Sequence, residues 1–192
     1  VRGGAATVHT LIWHPEIENI LVLKNNKGTQ DNRVRNLDYS ILINNFIYQR
    51  LRDDGMITLF SPHDVPDLYD AYFEDPELFA ELYVKYERRH SIVAKKVSAR
   101  ELFASLMIER KDTGRIYVMN VDNVNLHSSF KDAIRMSNLC QEITLVTVPM
   151  GSKEKYTIFV PNDEVLSVLN EIGQSDLVSM FKIKDKRKIT KI

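Results

Sequence analysis

Residues 98–121 read SARELFASLMIERKDTGRIYVMNV, a stretch that predicts a helix followed directly by a strand. Ser98 is followed three residues later by Glu101, which is a capping-box pattern and predicts a helix that begins after Ser98. Gly114 predicts the end of that helix. The apolar and β-branched residues within 115–121 predict a strand. A helix that leads into a strand is typical of an α/β fold.

The rest of the chain continues this alternation of strands and helices, which predicts α/β architecture throughout. Prolines near the start of several apolar segments mark helix beginnings. In order, we expect a strand at 8–13, a helix at 15–23, a polar loop at 24–36, a strand passing into a helix within 40–51, a strand at 57–60, helices at 65–73 and 76–86, and a polar stretch at 122–136.

Aromatic residues recur in the two helices predicted between residues 65 and 86. Their spacing by three, four and seven predicts one buried helix face, and this favours core packing over a radical relay or a stacking surface. The set is Tyr69, Tyr72, Phe73, Phe79, Tyr83 and Tyr86. We expect Trp13 and His14 to pack near the first strand without a catalytic role.

Composition argues against several functional classes. The 192 residues are 44% hydrophobic and 27% charged with a formal net charge of zero, so no basic excess indicates nucleic-acid binding. The sequence has no apolar run of membrane-spanning length and no signal-peptide pattern, and one cysteine cannot form an internal disulfide. These features predict a protein of the reducing cytoplasm. Because Val1 lies within a recognisable motif, we expect a fragment or one piece of a split protein.

The single cysteine, Cys140, lies in the run Ser-Asn-Leu-Cys-Gln-Glu at 137–142. In an extended segment the side chains alternate between faces, so Asn138, Cys140 and Glu142 would project together. An amide, a thiol and a carboxylate on one face predict a candidate catalytic site.

The chemistry of this site remains open from the residues alone. A free cysteine usually packs as a small buried hydrophobe, but flanking Asn and Glu side chains disfavour that interpretation. A thiolate nucleophile needs a cationic neighbour, and no histidine is adjacent to Cys140, so a thiol hydrolase requires a distant imidazole to fold against it. The five histidines lack metal-ligand spacing, which predicts no metal site.

Eight blocks of this sequence together resemble the large catalytic subunit of class I ribonucleotide reductase. One is the Asn-x-Cys-x-Glu run at 138–142, the pattern of that family's finger loop. The others follow the family's order over about residues 1–149: Arg2-Gly3-Gly4-Ala5-Ala6-Thr7, Trp13-His14-Pro15-Glu16-Ile17-Glu18, Leu23-Lys24-Asn25-Asn26-Lys27-Gly28, Asn32-Arg33-Val34-Arg35, Leu59-Phe60-Ser61-Pro62, Val65-Pro66-Asp67-Leu68-Tyr69 and Thr113-Gly114-Arg115-Ile116-Tyr117.

The resemblance implies specific roles and a fold. Cys140 would act as a thiyl radical that removes the C3′ hydrogen of a ribonucleotide, Glu142 would take the proton of the 3′ hydroxyl, and Asn138 would hydrogen-bond the ribose. Arg2 matches an arginine of the loop that links the specificity effector to the substrate. Residues 1–149 would form part of a ten-stranded α/β barrel.

Residues 150–192 depart from the family pattern and are expected to form a divergent tail or insertion. We predict a strand at 156–160, a helix at 162–172 and a solvated basic end at 182–192. The two cysteines that reduce the substrate in this family are absent from the sequence. The alternative is therefore a non-catalytic remnant, or a split piece that works only with partner segments.

The resemblance also implies partners. A di-iron small subunit would supply the radical, and no cofactor or metal would bind this segment itself. ATP and dNTP effectors would bind the full subunit, a homodimer, and thioredoxin or glutaredoxin would be the reductant. The substrate would be a ribonucleoside diphosphate.

Overall fold

The computed structural model describes residues 4–29, 31, 33–89, 92, 94–146, 181–185 and 188–191, the last two as backbone strands. Helices and strands alternate along most of the described chain, as the sequence predicts. The elements are β1 (Thr7–Leu11), α1 (Ile17–Leu21), β2 (Asp38–Ile43), α2 (Asn45–Arg52), β3 (Met56–Leu59), α3 (Pro66–Glu74), α4 (Pro76–Glu87), β4 (Lys95–Ser98), α5 (Ala99–Thr113), β5 (Ile116–Asn120), α6 (Val121–Leu126), β6 (Phe181–Asp185) and β7 (Lys188–Lys191).

A three-stranded parallel sheet lies at the centre of the fold, in the order β1-β2-β5. All six residues of the middle strand β2 are buried. Parallel neighbours need long crossover connections, here through α1 and through the helices between β2 and β5. This arrangement confirms the α/β prediction. Two antiparallel pairs, β3 with β4 and β6 with β7, accompany the sheet.

Helix α5 begins and ends where its terminal residues predict. The Ser98 Oγ accepts the backbone N–H of Glu101 at 3.3 Å, which satisfies one of the amides left free at a helix start. Gly114 adopts a left-handed conformation with φ of +68° just after the last turn. The strand β5 follows at once, so these two residues fix where the third strand of the sheet enters.

The predicted aromatic helix face forms the core. Trp13 is fully buried, with its ring centroid 5.7 Å from that of Tyr72, and Tyr72 lies 5.0 Å from Phe79 in an edge-to-face contact. The Tyr83 hydroxyl donates to the Thr58 carbonyl at 2.7 Å and accepts its N–H at 2.8 Å, tying α4 to β3. Core packing is confirmed for this set, with Tyr69 only partly buried against it.

The structure differs from the sequence prediction in three elements. Helix α1 spans only Ile17–Leu21, shorter than predicted. Strand β4 was not predicted because its sequence, Lys-Lys-Val-Ser, has no apolar alternation; its register with β3 defines it. Helix α6 overlaps the start of the predicted polar stretch. It was not predicted because its Asp and Asn residues are weak helix formers and only Val121 in it is buried.

The C-terminal part of the chain is described only in part. The strand predicted at 156–160 and the helix predicted at 162–172 lie outside the described residues, whereas the basic end contains β6 and β7. Across the ranges that the structure describes, no helix combines the length and the apolar character needed to cross a bilayer.

Candidate active site

The segment around Cys140 forms a tight turn, which we call the cysteine turn (residues 137–143). The backbone N–H of Gln141 donates to the Asn138 carbonyl at 3.3 Å, and the Asn138 N–H donates to the Ile143 carbonyl at 3.4 Å. Gln141 has a φ of +64°, in the left-handed region. The spacing argument holds for an extended segment, whereas here Cys140 lies where the chain reverses direction.

Asn138 explains why the chain turns here. Its Oδ1 accepts the backbone N–H of Ile143 at 2.9 Å and the Ser137 hydroxyl at 3.1 Å. An Asn side chain that caps a nearby backbone amide offers the chain an alternative to strand pairing. Period-two spacing alone did not reveal this competition. In the described part of the chain the Nδ2 group of Asn138 makes no hydrogen bond, so it remains able to donate.

The cysteine turn is attached to the parallel sheet at several points. The Thr7 hydroxyl donates to the Leu139 carbonyl at 2.5 Å, and the Ser137 N–H donates to His9 Nε2 at 3.1 Å. On the next strand, the Gln141 side-chain amide donates to the Ser40 hydroxyl. Gln141 and Ser40 are 101 residues apart in the sequence. Together these contacts hold the turn against β1 and β2.

Cys140 is an exposed free thiol at the tip of this turn. The Tyr117 hydroxyl on β5 interacts with it: desolvation is the main cause that raises the pKa of Tyr117, and the Cys140 thiol raises it further. His9, an imidazole that contacts the cysteine turn, uses its Nε2 to accept the Ser137 N–H. That nitrogen is therefore engaged by a backbone amide and is not directed at the thiol as a base.

The three predicted catalytic residues all lie within the cysteine turn but differ in exposure. Cys140 and Glu142 are exposed, and Asn138 is partly buried. Beside the turn, a cavity of about 280 Å³ is lined by residues of β5, α6 and the turn, among them Asn120, Asn123, Ser137 and Gln141. Its polar amides and hydroxyls are suited to hydrogen-bonding a polar ligand.

Within the described ranges, no group of three or more His, Cys, Asp or Glu residues comes together in a way that could hold an ion.

Comparison with known proteins identifies the family of this chain. The family model described as the ribonucleotide reductase barrel domain matches residues 1–169. The chain belongs to this family.

Similar proteins are described as alpha subunits of ribonucleoside-diphosphate reductases. The ribonucleoside-diphosphate reductase 1 subunit alpha of Escherichia coli (strain K12) is 56% identical over 154 residues, which is 79% of this chain and 20% of the relative. The subunit alpha of Haemophilus influenzae is 56% identical over 78% of this chain and 20% of its own length. That of Enterobacteria phage T4 is 48% identical over 80% and 21%. The chain thus spans about a fifth of the relatives' length.

Some residues of this ribonucleotide reductase segment escaped sequence reasoning. Thr7, His9 and Ser40 hold the cysteine turn, yet each reads as an ordinary strand residue. The polar alternation of Thr7 and His9 in β1 was the one available signal, because two polar side chains on one strand face need polar partners. Arg2, predicted to contact the substrate, lies outside the described residues.

Proposed function

We propose that this chain contributes to the catalytic barrel of a ribonucleotide reductase large subunit, and that Cys140 carries the radical that reduces ribonucleoside diphosphates. The observation that carries the proposal is the exposed thiol at the tip of a turn anchored on the parallel sheet of a ribonucleotide reductase barrel domain. An exposed thiol on a fixed support suits attack on a bound sugar, whereas a buried one would serve packing.

The proposed first step is a hydrogen-atom transfer. A thiyl radical on Cys140 takes the hydrogen from C3′, so the C3′–H bond breaks, an S–H bond forms and the radical moves to the sugar. A sulfur radical needs no base to lower a pKa, which is consistent with the engagement of His9 elsewhere. Glu142 accepts the proton of the 3′ hydroxyl as general base. The Nδ2 of Asn138 donates to a ribose hydroxyl.

Completion of the reaction requires groups beyond Cys140. Loss of the 2′ hydroxyl as water and reduction of the sugar consume two electrons, which a pair of thiols supplies by forming a disulfide. Cys140 is the single cysteine of the 192 residues, so we infer that the pair belongs to other segments of the large subunit. Thioredoxin or glutaredoxin would reduce that disulfide in the cytoplasm.

The remaining partners follow from the same proposal. The relatives' designation as subunit alpha supports a separate radical-generating subunit, and we propose a di-iron small subunit in that role. Arg2 would contact the substrate from the effector loop. Binding of ATP and dNTP effectors and homodimer formation belong to the complete large subunit.

Reconstitution tests the proposal. The chain is combined with segments that complete the large subunit and with the small subunit, and deoxyribonucleotide formation is measured for the native chain and for Cys140→Ser. A serine hydroxyl does not form the radical under these conditions, so turnover should fall to background. Lys131→Ala, an exposed position away from the cysteine turn, serves as the control and should retain activity. Unchanged turnover with Cys140→Ser would contradict the proposal.

A non-catalytic remnant is the second candidate, because these 192 residues contain one cysteine and so no thiol pair of their own. The two candidates predict different amounts of deoxyribonucleotide when the native chain is reconstituted. A remnant assembles with the added segments without producing deoxyribonucleotide, whereas a split enzyme regains turnover that depends on Cys140.

A further inference from the structure

Three polar residues form one line across the parallel sheet, which we call the clamp row: His9, Ser40 and Tyr117. His9 of β1 is the register partner of Ser40 of β2, and Ser40 is the register partner of Tyr117 of β5. Register partners in a parallel sheet project their side chains from the same face. The clamp row therefore presents an imidazole and two hydroxyls on one side of the sheet.

Each member of the clamp row meets a different residue of the cysteine turn. His9 accepts the Ser137 N–H at 3.1 Å, and Ser40 accepts the Gln141 side-chain amide. Tyr117 interacts with the thiol of Cys140. The contacts thus fall on the first residue of the turn, on its tip and on the residue immediately after the tip.

Two residues further along the strands, the same face is apolar. Leu11, Leu42 and Met119 form that line, and each is at most 5% exposed. Ser40 itself is fully buried, although a small apolar residue would satisfy packing at that position. At Ser40 the polar partner comes from the cysteine turn, whereas Asp38, two residues earlier on the same face, pairs with Lys24 and Arg115.

We propose that His9 and Ser40 are positioning residues that clamp the two sides of the cysteine turn and thereby fix the direction of the Cys140 thiol. His9 holds the backbone where the turn starts. Ser40 holds Gln141, whose left-handed backbone lies next to the thiol. The purpose of the clamp, presentation of a reactive thiol, rests on the proposed function, whereas the clamp itself is a property of the fold.

The clamp requires a particular form of the imidazole. Nε2 accepts a hydrogen bond only when it carries no proton, so the ring must be neutral with its hydrogen on Nδ1. Burial lowers the pKa of His9, which favours this neutral form, and a hydrogen bond with the Thr7 backbone opposes the shift more weakly. A glutamine can offer a carbonyl oxygen in place of Nε2, and a leucine of similar size offers none.

Amide hydrogen exchange of the native 192-residue chain and its variants tests the clamp without any need for turnover. His9→Leu should speed exchange of the Ser137 amide about fivefold, the equilibrium change that corresponds to one ordinary hydrogen bond of about 1 kcal/mol. His9→Gln should restore most of the protection. The Leu106 amide, inside α5, should be unaffected in both. Equal protection of Ser137 in all three proteins, or no rescue by glutamine, overturns the role of His9.

Ser40→Ala tests the other side of the clamp. It should speed exchange of the amides at 141–143, and Ser137 should stay protected by His9. No change at 141–143 overturns the role of Ser40.

A measurement on the native chain guards against variants that fail to fold. Uniform ¹⁵N labelling should reveal a scalar coupling between His9 Nε2 and the Ser137 amide nitrogen across their hydrogen bond. Absence of that coupling in the folded chain contradicts the clamp. None of these measurements involves substrate. A negative result here therefore contradicts the clamp without contradicting the reductase proposal, and a negative turnover experiment contradicts the reductase proposal without contradicting the clamp.

Discussion

At the scale of single residues, two partly buried histidines couple this fold to pH. Burial is the main cause that lowers the pKa of both His9 and His14 below the ordinary value of 6.5. Both rings accept backbone amides, from Ser137 and from Glu16 respectively. Protonation would convert each accepting nitrogen into a donor and break its contact.

The sign of the pH effect follows from these lowered pKa values. The unfolded chain binds protons at these rings more readily than the folded chain, so their contribution to stability is present above pH 6.5 and is lost as pH falls through the folded pKa values. We expect the free energy of unfolding from urea titrations to be lower at pH 5.5 than at pH 7.5. His9→Gln should reduce this difference, and His127→Gln, at an exposed position, should not. An equal pH dependence in all three proteins would contradict the assignment to His9.

The site shows how far single-residue reasoning reaches. The spacing in the sequence selected Asn138, Cys140 and Glu142 as candidates, and the structure places all three in one turn with the thiol exposed. The turn itself was missed because the Asn138 side chain competes with the backbone for hydrogen bonds, and spacing carries no information about that competition. Contacts with His9 and Ser40 join positions about a hundred or more residues apart, so they follow only from the register of the sheet.

At the scale of elements, the end of helix α5 depends on the backbone conformation of a single residue, Gly114. Gly114 has a φ of +68° and nothing within 4 Å of an added Cβ, so a substitution there meets backbone strain without a steric clash. Gly114→Ala should lower the free energy of unfolding by about 1–2 kcal/mol, the cost of a left-handed conformation for an L-residue. Urea denaturation measures it.

Gly4→Ala is the matched control for this substitution. Gly4 also has open space around an added Cβ but no positive φ, so its replacement should leave the stability almost unchanged. Equal effects at the two positions would show that the left-handed backbone is not the cause.

Elements with strong local signals were predicted well. Helices α3, α4 and α5 have proline or serine at their starts, and their bounds agree with the sequence prediction within a residue or two. Strand β4 and helix α6 have no such signal. Pairing with β3 defines β4, and one buried valine, Val121, anchors α6. Pairing between distant segments overrides local propensity in both.

At the scale of the whole molecule, the aromatic cluster connects the sheet to α2, α3 and α4. Phe79 is fully buried and its ring lies within 6.1 Å of those of Trp13, Phe46, Tyr72 and Tyr83. Removal of this ring would leave a cavity that four rigid neighbours cannot readily fill.

Phe79→Ala should therefore destabilise the chain by about 3–5 kcal/mol, the range for deleting a buried aromatic ring. Leu126→Ala is the control, because that side chain is 76% exposed and its loss should change the stability by less than about 0.5 kcal/mol. Thermal and urea unfolding monitored by circular dichroism compare the two. Similar losses would mean that the cluster does not dominate the stability.

The exposed position of Cys140 at the tip of the cysteine turn has a practical consequence. It is the single thiol of the 192-residue sequence, so a maleimide-linked fluorophore or spin label attaches there without any engineered cysteine. A probe at that point responds to the attachment of the turn to the sheet. The native sequence thus carries its own reporter position at the place where motion matters most to the proposed chemistry.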